Sequence, residues 1–267
     1  MLNSFTIGNG KPHIWLHGLL GNCLNLSPLA RSTPGQHFLL DARNHGNSFH
    51  RPGMDYKSQA EDVVRFMDSH NIEKAVILGH SMGGKTTCAL ALMHPTRVLA
   101  VCLMDIAPVS YLQVMDQYYG YISQYLTFIK NTDVTDKSRK DVESLSQARF
   151  DDARISQLIA SNLKQTERGL QWRIGVDEIF QGIQEIGHCE LKGVYNGPAL
   201  AIAGINSIHT CKSPLIPKGE DLRSLYSQYF SQISIDIVPN AGHFIHVDNP
   251  AYVKASINKF LSALVNN

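Results

Sequence analysis

Ser81, at the centre of Gly79-His80-Ser81-Met82-Gly83, is the residue with the clearest chemical signature. An apolar run at residues 75–78 precedes this motif and a helix-like run follows it, so we predict a strand, a sharp turn and a helix with the serine at the apex. Glycines on both sides let the backbone turn tightly, and a hydroxyl held at such a turn is typical of a nucleophile. Ser81 is therefore the candidate nucleophile.

A nucleophilic serine needs a base within hydrogen-bond reach, and His243 is the best placed of the twelve histidines. It follows the last predicted strand, residues 234–238, in a loop of small residues before the final helix. The carboxyl ends of parallel strands are where an open α/β sheet builds its site, so we expect this loop to reach Ser81. His246 is the rival base, and its alternative role is structural.

The acid that orients the base is predicted at Asp105. In a doubly wound hydrolase the acid usually follows the penultimate strand, here residues 199–203, but the loop after that strand offers Asn206 and Ser207 and no carboxylate. Asp105 ends the strand at residues 98–104, which is also a carboxyl end beside the nucleophile's strand. Its alternative role is to brace the turn after it. A neutral side chain would orient the histidine but would stabilise an imidazolium less well.

Two backbone N–H groups are predicted to bind the oxyanion that forms when the serine attacks a carbonyl group. Met82 opens a helix, where developing negative charge is favoured. Leu19 lies in His17-Gly18-Leu19-Leu20-Gly21, directly after an early strand, and is placed to supply the second donor. We expect His17 to brace this loop, and the polar run of residues 41–48 to brace the same region through hydrogen bonds.

Other site chemistries have weaker signals in this sequence. The pairs His45/His50 and His243/His246 lack the H-E-x-x-H context of a metal site. No G-x-G-x-x-G follows the first strand, and the glycines around Ser81 lack the spacing of a phosphate-binding loop. None of the cysteines lies at a comparable turn. We therefore expect no metal, no nucleotide and no other cofactor.

Short apolar runs alternate with helical patterns along the chain, which predicts an α/β fold with a mostly parallel, doubly wound sheet. The runs predicted as strands are residues 13–16, 37–40, 75–78, 98–104, 199–203 and 234–238. The helical patterns outside the central segment are residues 58–71, 84–93, 224–231 and 251–265. Ser58 with Glu61 predicts a capping box, and Pro250 suits the first position of the last helix.

Residues 110–193 interrupt this alternation, because they contain no convincing strand. We predict an α/β core from residues 1–109 and 194–267, with residues 110–193 as a helical cap over the carboxyl edge of the sheet. Helical patterns in the cap cover residues 113–130, 137–149, 153–165 and 172–186. Aromatic side chains crowd its first helix and either line an acyl pocket or pack the cap onto the core: Tyr111, Tyr118, Tyr119, Tyr121, Tyr125 and Phe128.

Composition restricts the classes of function. The 267 residues carry a formal net charge of +1 without a basic block, which argues against nucleic-acid binding. No apolar run approaches the roughly 18 residues of a membrane span, and the first residues lack the pattern of a signal peptide. Five scattered cysteines without C-x-x-C fit reduced thiols, so we expect a cytoplasmic location. The sequence does not determine the oligomeric state.

These residues together resemble the α/β-hydrolase superfamily and, within it, the group of YbfF-type bacterial esterases and abhydrolase-domain-containing protein 11. The resemblance covers nearly the whole chain, is weakest in the cap, and rests on His17-Gly18-Leu19-Leu20-Gly21-Asn22, Asp41-Ala42-Arg43-Asn44-His45-Gly46-Asn47-Ser48, Gly79-His80-Ser81-Met82-Gly83-Gly84-Lys85, Met104-Asp105-Ile106-Ala107-Pro108 and Gly242-His243. It implies a catalytic triad of Ser81, Asp105 and His243. It also implies oxyanion donors at Leu19 and Met82, and a serine, Ser207, near the histidine.

The expected function is that of a cofactor-independent serine carboxylesterase that forms an acyl-enzyme with short- to medium-chain acyl esters. The resemblance adds acyl thioesters as a substrate class. Two alternatives stay open, because one fold supports many functions. One is a carbon–carbon bond hydrolase of dienoic ring-cleavage products, and the other is a catalytically silent, hydrolase-derived binding module. Haloalkane dehalogenation is disfavoured, since its nucleophile is an aspartate and Ser81 stands here.

Overall fold

The computed structural model describes residues 1–264, and of residues 115–119 it describes the backbone alone. The side chains of Tyr118 and Tyr119, two of the aromatic residues of the predicted cap, lie outside this description. Within the described residues the strands are β1 (Ser4–Gly8), β2 (Pro12–Leu16), β3 (Gln36–Leu40), β4 (Ala75–His80), β5 (Val98–Met104), β6 (Leu163–Thr166), β7 (Gly169–Trp172), β8 (Ala199–Gly204) and β9 (Ser234–Val238).

Seven strands form one sheet in the order β1-β3-β2-β4-β5-β8-β9. Every neighbouring pair is parallel except β1 and β3, which are antiparallel. The prediction of a mostly parallel sheet is confirmed, and all six predicted strands are present. The sequence pattern missed β1, because this edge strand is only partly buried and alternates polar with apolar residues. The strand that leads to Ser81, β4, lies at the centre of the sheet.

Helices pack on both faces of this sheet. They are α1 (Ser27–Ala30), α2 (Tyr56–Ser69), α3 (Met82–Met93), α4 (Met115–Asn131), α5 (Arg139–Phe150), α6 (Ala153–Ala160), α7 (Val176–Gln181), α8 (Ile183–Gly187), α9 (Ile245–Asp248) and α10 (Pro250–Ala263). Among the described residues, none of these helices has the length and apolar character needed to cross a bilayer.

The two faces of the sheet have separate hydrophobic cores. One core joins the sheet to α2 and α3, and the other joins it to α1 and α10. Side chains of β2 alternate between them: Ile14 and Leu16 belong to the first core and Trp15 to the second. Because both faces are covered, β2 reads as a continuous apolar run in the sequence.

Two predicted helical features differ from the structure. The N-cap of α2 is Asp55, whose carboxylate accepts a hydrogen bond from Ser58 N at 2.8 Å, so the predicted capping box at Ser58 and Glu61 does not begin the helix. The helix predicted at residues 224–231 is wrong, because the chain forms a 3₁₀ turn at Leu222–Leu225 and then further turns. A short helical pattern is a weak signal, since helix nucleation is costly without tertiary packing.

The segment of residues 110–193 lies between β5 and β8 and holds α4 to α8. The prediction that it contains no strand is wrong, because β6 and β7 form an antiparallel hairpin that pairs Leu163 with Trp172. The turn of the hairpin uses Gly169 at φ +98°, where a Cβ would lie 2.2 Å from the Thr135 carbonyl oxygen. Strands of four residues carry too few positions for a period to be recognised, and the predicted helix of residues 153–165 overlaps most of β6.

Candidate active site

Ser81 lies at the turn between β4 and α3. Its backbone has φ 54° and ψ −119°, outside the regions that L-residues usually occupy. The space around the turn is so small that a Cβ on Gly79 would lie 2.2 Å from the Gly83 carbonyl oxygen, and a Cβ on Gly83 would lie 2.3 Å from the carbonyl oxygen of Leu16. The two glycines therefore allow α3 to start directly against the end of β2, and this packing holds the serine at the apex.

The hydroxyl of Ser81 contacts the ring of His243, with 2.9 Å between Oγ and Nε2. His243 lies in the loop between β9 and α9, at the carboxyl edge of the sheet. This distance is suitable for transfer of the hydroxyl proton to the imidazole.

Asp105 directly follows β5, and its side chain is fully buried. Its Oδ2 lies 2.8 Å from His243 Nδ1. Three more donors reach the same carboxylate: Gly204 N at 2.7 Å, Ser207 Oγ at 2.5 Å and Thr210 Oγ1 at 2.7 Å. These hydrogen bonds replace the hydration that a carboxylate loses on burial.

In the loop after β8, the hydrogen bonds of Ser207 and Asn206 go to Asp105 and Lys212 and not to the ring of His243. Ser207 donates to Asp105 Oδ2, so it acts on His243 through the carboxylate. Asn206 lies at the surface, where its Oδ1 accepts a hydrogen bond from Lys212 Nζ at 2.9 Å. Thr210, the other hydroxyl donor to this carboxylate, carries no sequence signal beyond its place four residues after Asn206.

His80 and His209 flank His243, and no sequence pattern predicts a role for either of them. His80 Nε2 donates to the carbonyl oxygen of His243 at 2.9 Å. The ring of His209 stacks on that of His243, with centroids 3.9 Å apart and planes at 31°. Burial lowers the pKa of His80 and of His209 well below the ordinary histidine value, so both rings are neutral at neutral pH. Only the position of His80 beside Ser81 could have indicated its role.

His246, the rival base, packs against His80 rather than against the serine. The two ring centroids are 4.7 Å apart in an edge-to-face arrangement. Burial lowers the pKa of His246 to about 4. The structure therefore places His243 within hydrogen-bond distance of the Ser81 hydroxyl, whereas His246 packs on the ring of His80.

The backbone N–H groups of Leu19 and Met82 belong to two segments that meet beside Ser81. Met82 is the first residue of α3, so its N–H has no acceptor inside the helix. Leu19 lies in a tight turn closed by a hydrogen bond from Gly21 N to Gly18 O at 3.0 Å. A Cβ on Gly18 would lie 3.2 Å from the Ser81 Cβ, so this turn closely approaches the nucleophile.

Neutral histidines hold this turn from behind. His17 Nε2 accepts from Ala42 N at 3.0 Å, and its Nδ1 donates to Gly18 O at 2.8 Å. His45 Nε2 accepts from Leu20 N at 3.1 Å. Burial lowers the pKa of His17, and it lowers the pKa of His45 to about 3, so each ring keeps a nitrogen that can accept a hydrogen bond.

Asp41 ties the polar run of residues 41–48 to the rest of the core. Its carboxylate accepts hydrogen bonds from Asn3 Nδ2, Cys23 N and Asn47 N. Burial alone would raise the pKa of Asp41, but these hydrogen bonds contribute to lowering it overall. The run therefore forms a buried scaffold beneath the turn that carries Leu19.

A cavity of about 230 Å³ opens beside Ser81. The core contributes Leu19, Leu20, Met82, Lys85 and Ile106 to its wall, and the segment of residues 110–193 contributes Tyr111, Ile122, Tyr125, Arg154, Ile155, Gln157, Leu158 and Ile186. The aromatic residues predicted for the first helix of residues 110–193 have different positions. Among those with described side chains, Tyr111 and Tyr125 line the cavity, Phe128 packs against Phe150 and Tyr121 is exposed. The described residues contain no group of three or more His, Cys, Asp or Glu side chains that could hold a metal ion.

Comparison with known proteins gives a family match over most of the chain. Residues 14–250 match the family described as the alpha/beta hydrolase fold. The sn-1-specific diacylglycerol lipase ABHD11 of Mus musculus is 30% identical over 259 residues, covering 93% of this chain and 80% of that protein. Esterase YbfF of Escherichia coli (strain K12) is 29% identical over 257 residues, covering 95% of this chain and 94% of that protein.

A solved structure shows the same likeness in three dimensions. The structure of a marine microorganism esterase superposes with a TM-score of 0.88 at 30% identity, covering 97% of this chain and 98% of that chain.

Proposed function

Because this chain belongs to the α/β hydrolase fold family and is an esterase- and lipase-type member of it, we propose that it is a serine carboxylesterase with Ser81 as its nucleophile. The observation that carries the proposal is the continuous hydrogen-bond chain from Ser81 through His243 to Asp105. A base in contact with the nucleophile and oriented by a third group is the arrangement that activates a hydroxyl at neutral pH. The proposed reaction needs no cofactor.

In the first half of the reaction, Ser81 Oγ attacks the acyl carbonyl carbon while His243 Nε2 takes the hydroxyl proton. Asp105 keeps the proton on Nδ1 and stabilises the imidazolium that forms. The N–H groups of Leu19 and Met82 donate to the oxyanion of the tetrahedral intermediate. When the intermediate collapses, His243 returns the proton to the departing alcohol, and the acyl group remains as an ester on Ser81.

In the second half, a water molecule takes the place of the alcohol. His243 accepts a proton from the water as it attacks the acyl-enzyme, and the same two N–H groups hold the second oxyanion. Collapse of this intermediate returns the proton to Ser81 Oγ and releases the carboxylic acid. An acyl thioester presents the same carbonyl group to the same donors, so we include thioesters among the substrates.

We propose further that residues 110–193 act as the cap and limit the length of the acyl group. Side chains of this segment, among them Tyr111, Tyr125 and Leu158, form much of the cavity wall. The cavity of about 230 Å³ is somewhat larger than the roughly 150 Å³ that accommodates benzene in an engineered protein cavity. Short acyl chains therefore fit better than long ones.

The decisive experiment replaces Ser81 with alanine. Ser81→Ala should reduce hydrolysis of p-nitrophenyl acetate and butyrate to the background rate, while circular dichroism stays that of the wild type. A fluorophosphonate probe should label the wild type and leave the Ser81→Ala protein unlabelled. Ser224→Ala is the matched control, since this serine bonds only within its own turn and should keep full activity. Retained hydrolysis in the folded Ser81→Ala protein would overturn the proposal.

A substrate panel separates the alternatives. A preference for vinylogous diketones over simple esters would assign the site to carbon–carbon bond hydrolysis. A folded wild-type protein that neither reacts with fluorophosphonate nor hydrolyses any ester would be a binding module.

A further inference from the structure

Lys85 lies in the wall of the cavity that Ser81 faces, and it takes no part in the proposed triad or oxyanion turn. It is one helical turn after the nucleophile on α3, and its backbone N donates to Ser81 O at 3.1 Å. Only 1% of its surface is exposed. A lysine this deeply buried is uncommon unless its charge is paired.

Among the described residues, the surroundings of the Lys85 ammonium group meet only part of its capacity to donate hydrogen bonds. Lys85 Nζ donates to the carbonyl oxygen of Val109 at 2.7 Å and lies 3.6 Å from the centroid of the Tyr111 ring. The Tyr56 ring is farther away, at 5.6 Å. An ammonium has three N–H donors, and among the residues with described side chains no carboxylate forms an ion pair with it.

A buried cation without a counter-ion destabilises the fold, so its presence requires a reason. Burial lowers the pKa of Lys85 to about 8, which still leaves the group mainly protonated at pH 7. Arg154 also lines the cavity, but Asp152 and Asp248 already pair with it. Within the described lining, Lys85 is thus the cation whose charge no protein group balances.

We propose that Lys85 binds a carboxylate at the far end of the acyl group, so that the enzyme prefers half-esters of short dicarboxylic acids. The inference rests on the proposed function, because Ser81 must attack the other end of the same acyl group. The carboxylate would accept the N–H donors that Val109 does not use, in charge-assisted hydrogen bonds. A helical turn rises about 5.4 Å, so the separation of the two residues along α3 suits a spacer of a few carbons.

The test compares substrates of equal shape and different charge. Monoethyl succinate is paired with ethyl 4-methylpentanoate, in which an isopropyl group replaces the carboxylate. Monoethyl malonate and monoethyl glutarate are paired in the same way with ethyl 3-methylbutanoate and ethyl 5-methylhexanoate. Hydrolysis is followed in a pH-stat at pH 7. For at least one length, the wild type should show a kcat/KM for the half-ester about tenfold or more above that of its neutral partner.

Variants of Lys85 test whether its charge causes the preference for half-esters. Lys85→Met should lower the ratio of the two kcat/KM values by about ten- to hundredfold, and Lys85→Arg should retain part of the preference. Arg154→Met is the matched control, because it removes the other cation of the wall and should leave the ratio unchanged. If Lys85→Met lowered kcat/KM equally on both substrates, Lys85 would be only a structural contact with Val109, and the inference would be overturned.

A second measurement needs no variant. As the pH rises from 7 to 9 the wild-type ratio should fall, because Lys85 loses its proton in this range. Among the described residues, the groups that face Lys85 do not lose or gain a proton in this range: burial raises the pKa of the Cys88 and Cys189 thiols and lowers that of His209, and Tyr56 and Tyr111 contribute their ring faces. A ratio that stays constant over this range contradicts the inference.

The outcomes also separate this inference from the function on which it rests. If the wild type hydrolyses the neutral esters but shows no preference for any half-ester, only the role of Lys85 is wrong. If it hydrolyses no ester at all, the proposed esterase activity fails and the inference fails with it.

Discussion

Asp105 Oδ2 and His243 Nδ1 lie 2.8 Å apart, although 138 positions separate the two residues in the chain. The carboxylate comes from the end of β5, directly beside the strand of the nucleophile. The neighbouring strand β8 is followed by a loop that supplies donors to that carboxylate from Ser207 and Thr210. Two adjacent strand ends thus build one carboxylate site: the end of β5 provides the charged group, and the loop after β8 supplies hydrogen-bond donors that hold it in position.

Replacing Asp105 with asparagine should lower kcat/KM for p-nitrophenyl butyrate by roughly 10³- to 10⁴-fold, as the equivalent change does in a serine protease. An amide in this position either donates to Nδ1 and enforces the wrong tautomer or stabilises the imidazolium poorly. Thermal unfolding would establish that the variant is folded. Asp68→Asn, at an exposed ion pair with Arg97, is the control and should retain full activity. Near-normal activity in Asp105→Asn would mean that another group orients His243.

Ser207→Ala should lower kcat/KM about tenfold, because a hydrogen bond to a charged group contributes about 1.5 kcal/mol or more. The carboxylate would keep its donors from Gly204 and Thr210, so the loss should be far smaller than for Asp105→Asn. In the double variant with Asp105→Asn, the serine substitution should cost almost nothing further, because both residues act through His243. Fully additive losses would place Ser207 in a separate role.

Gly83→Ala should damage both stability and activity. Its Cβ would lie 2.3 Å from Leu16 O and 2.7 Å from His17 O, so α3 would have to move away from the turn that carries Leu19. We expect a loss of about 1–3 kcal/mol in the free energy of unfolding and at least a tenfold loss in kcat. Gly120→Ala, in a helix where a Cβ would meet no atom of the described side chains within 4 Å, is the control and should be neutral or slightly stabilising. Equal behaviour of the two variants would argue against the crowded turn.

Acid should destabilise the fold between about pH 6.5 and pH 4. Burial lowers the pKa of His13 to about 4, of His45 to about 3 and of His246 to about 4, whereas the unfolded chain protonates near 6.5. In this window the unfolded state binds more protons than the folded state. The free energy of unfolding is therefore at its full value above pH 6.5 and decreases as the pH is lowered, by on the order of 3 kcal/mol for each fully buried ring.

The measurement is Tm against pH from 7 to 4. His13→Gln should show a shallower decline than the wild type, while His188→Gln, at an exposed histidine, should follow the wild-type curve. A wild-type Tm that stays constant across the range would contradict the burial of neutral imidazoles.

Local patterns in the sequence were sufficient for the six parallel strands of the sheet and for the serine turn, but not for the antiparallel edge strand β1. The strands of a doubly wound sheet are buried on both faces, so they stand out as apolar runs, and Gly79 and Gly83 mark the turn because only hydrogen fits there. The sequence also singled out His243 and Asp105, since both follow strands whose carboxyl ends must converge on one edge.

Other features depend on contacts between distant segments, and no local pattern encodes them. The choice between His243 and His246 depends on how the loop after β9 packs on His80, and the partner of Ser207 depends on the pairing of β5 with β8. Lys85 was visible in the sequence as a charged residue, but its burial against Val109 and Tyr111, with no ion pair to a carboxylate among the described side chains, is a result of tertiary packing. The sequence alone therefore determined which residues could react. Only the tertiary structure decided which of them meet, because side-chain distances arise from packing that spans the whole chain.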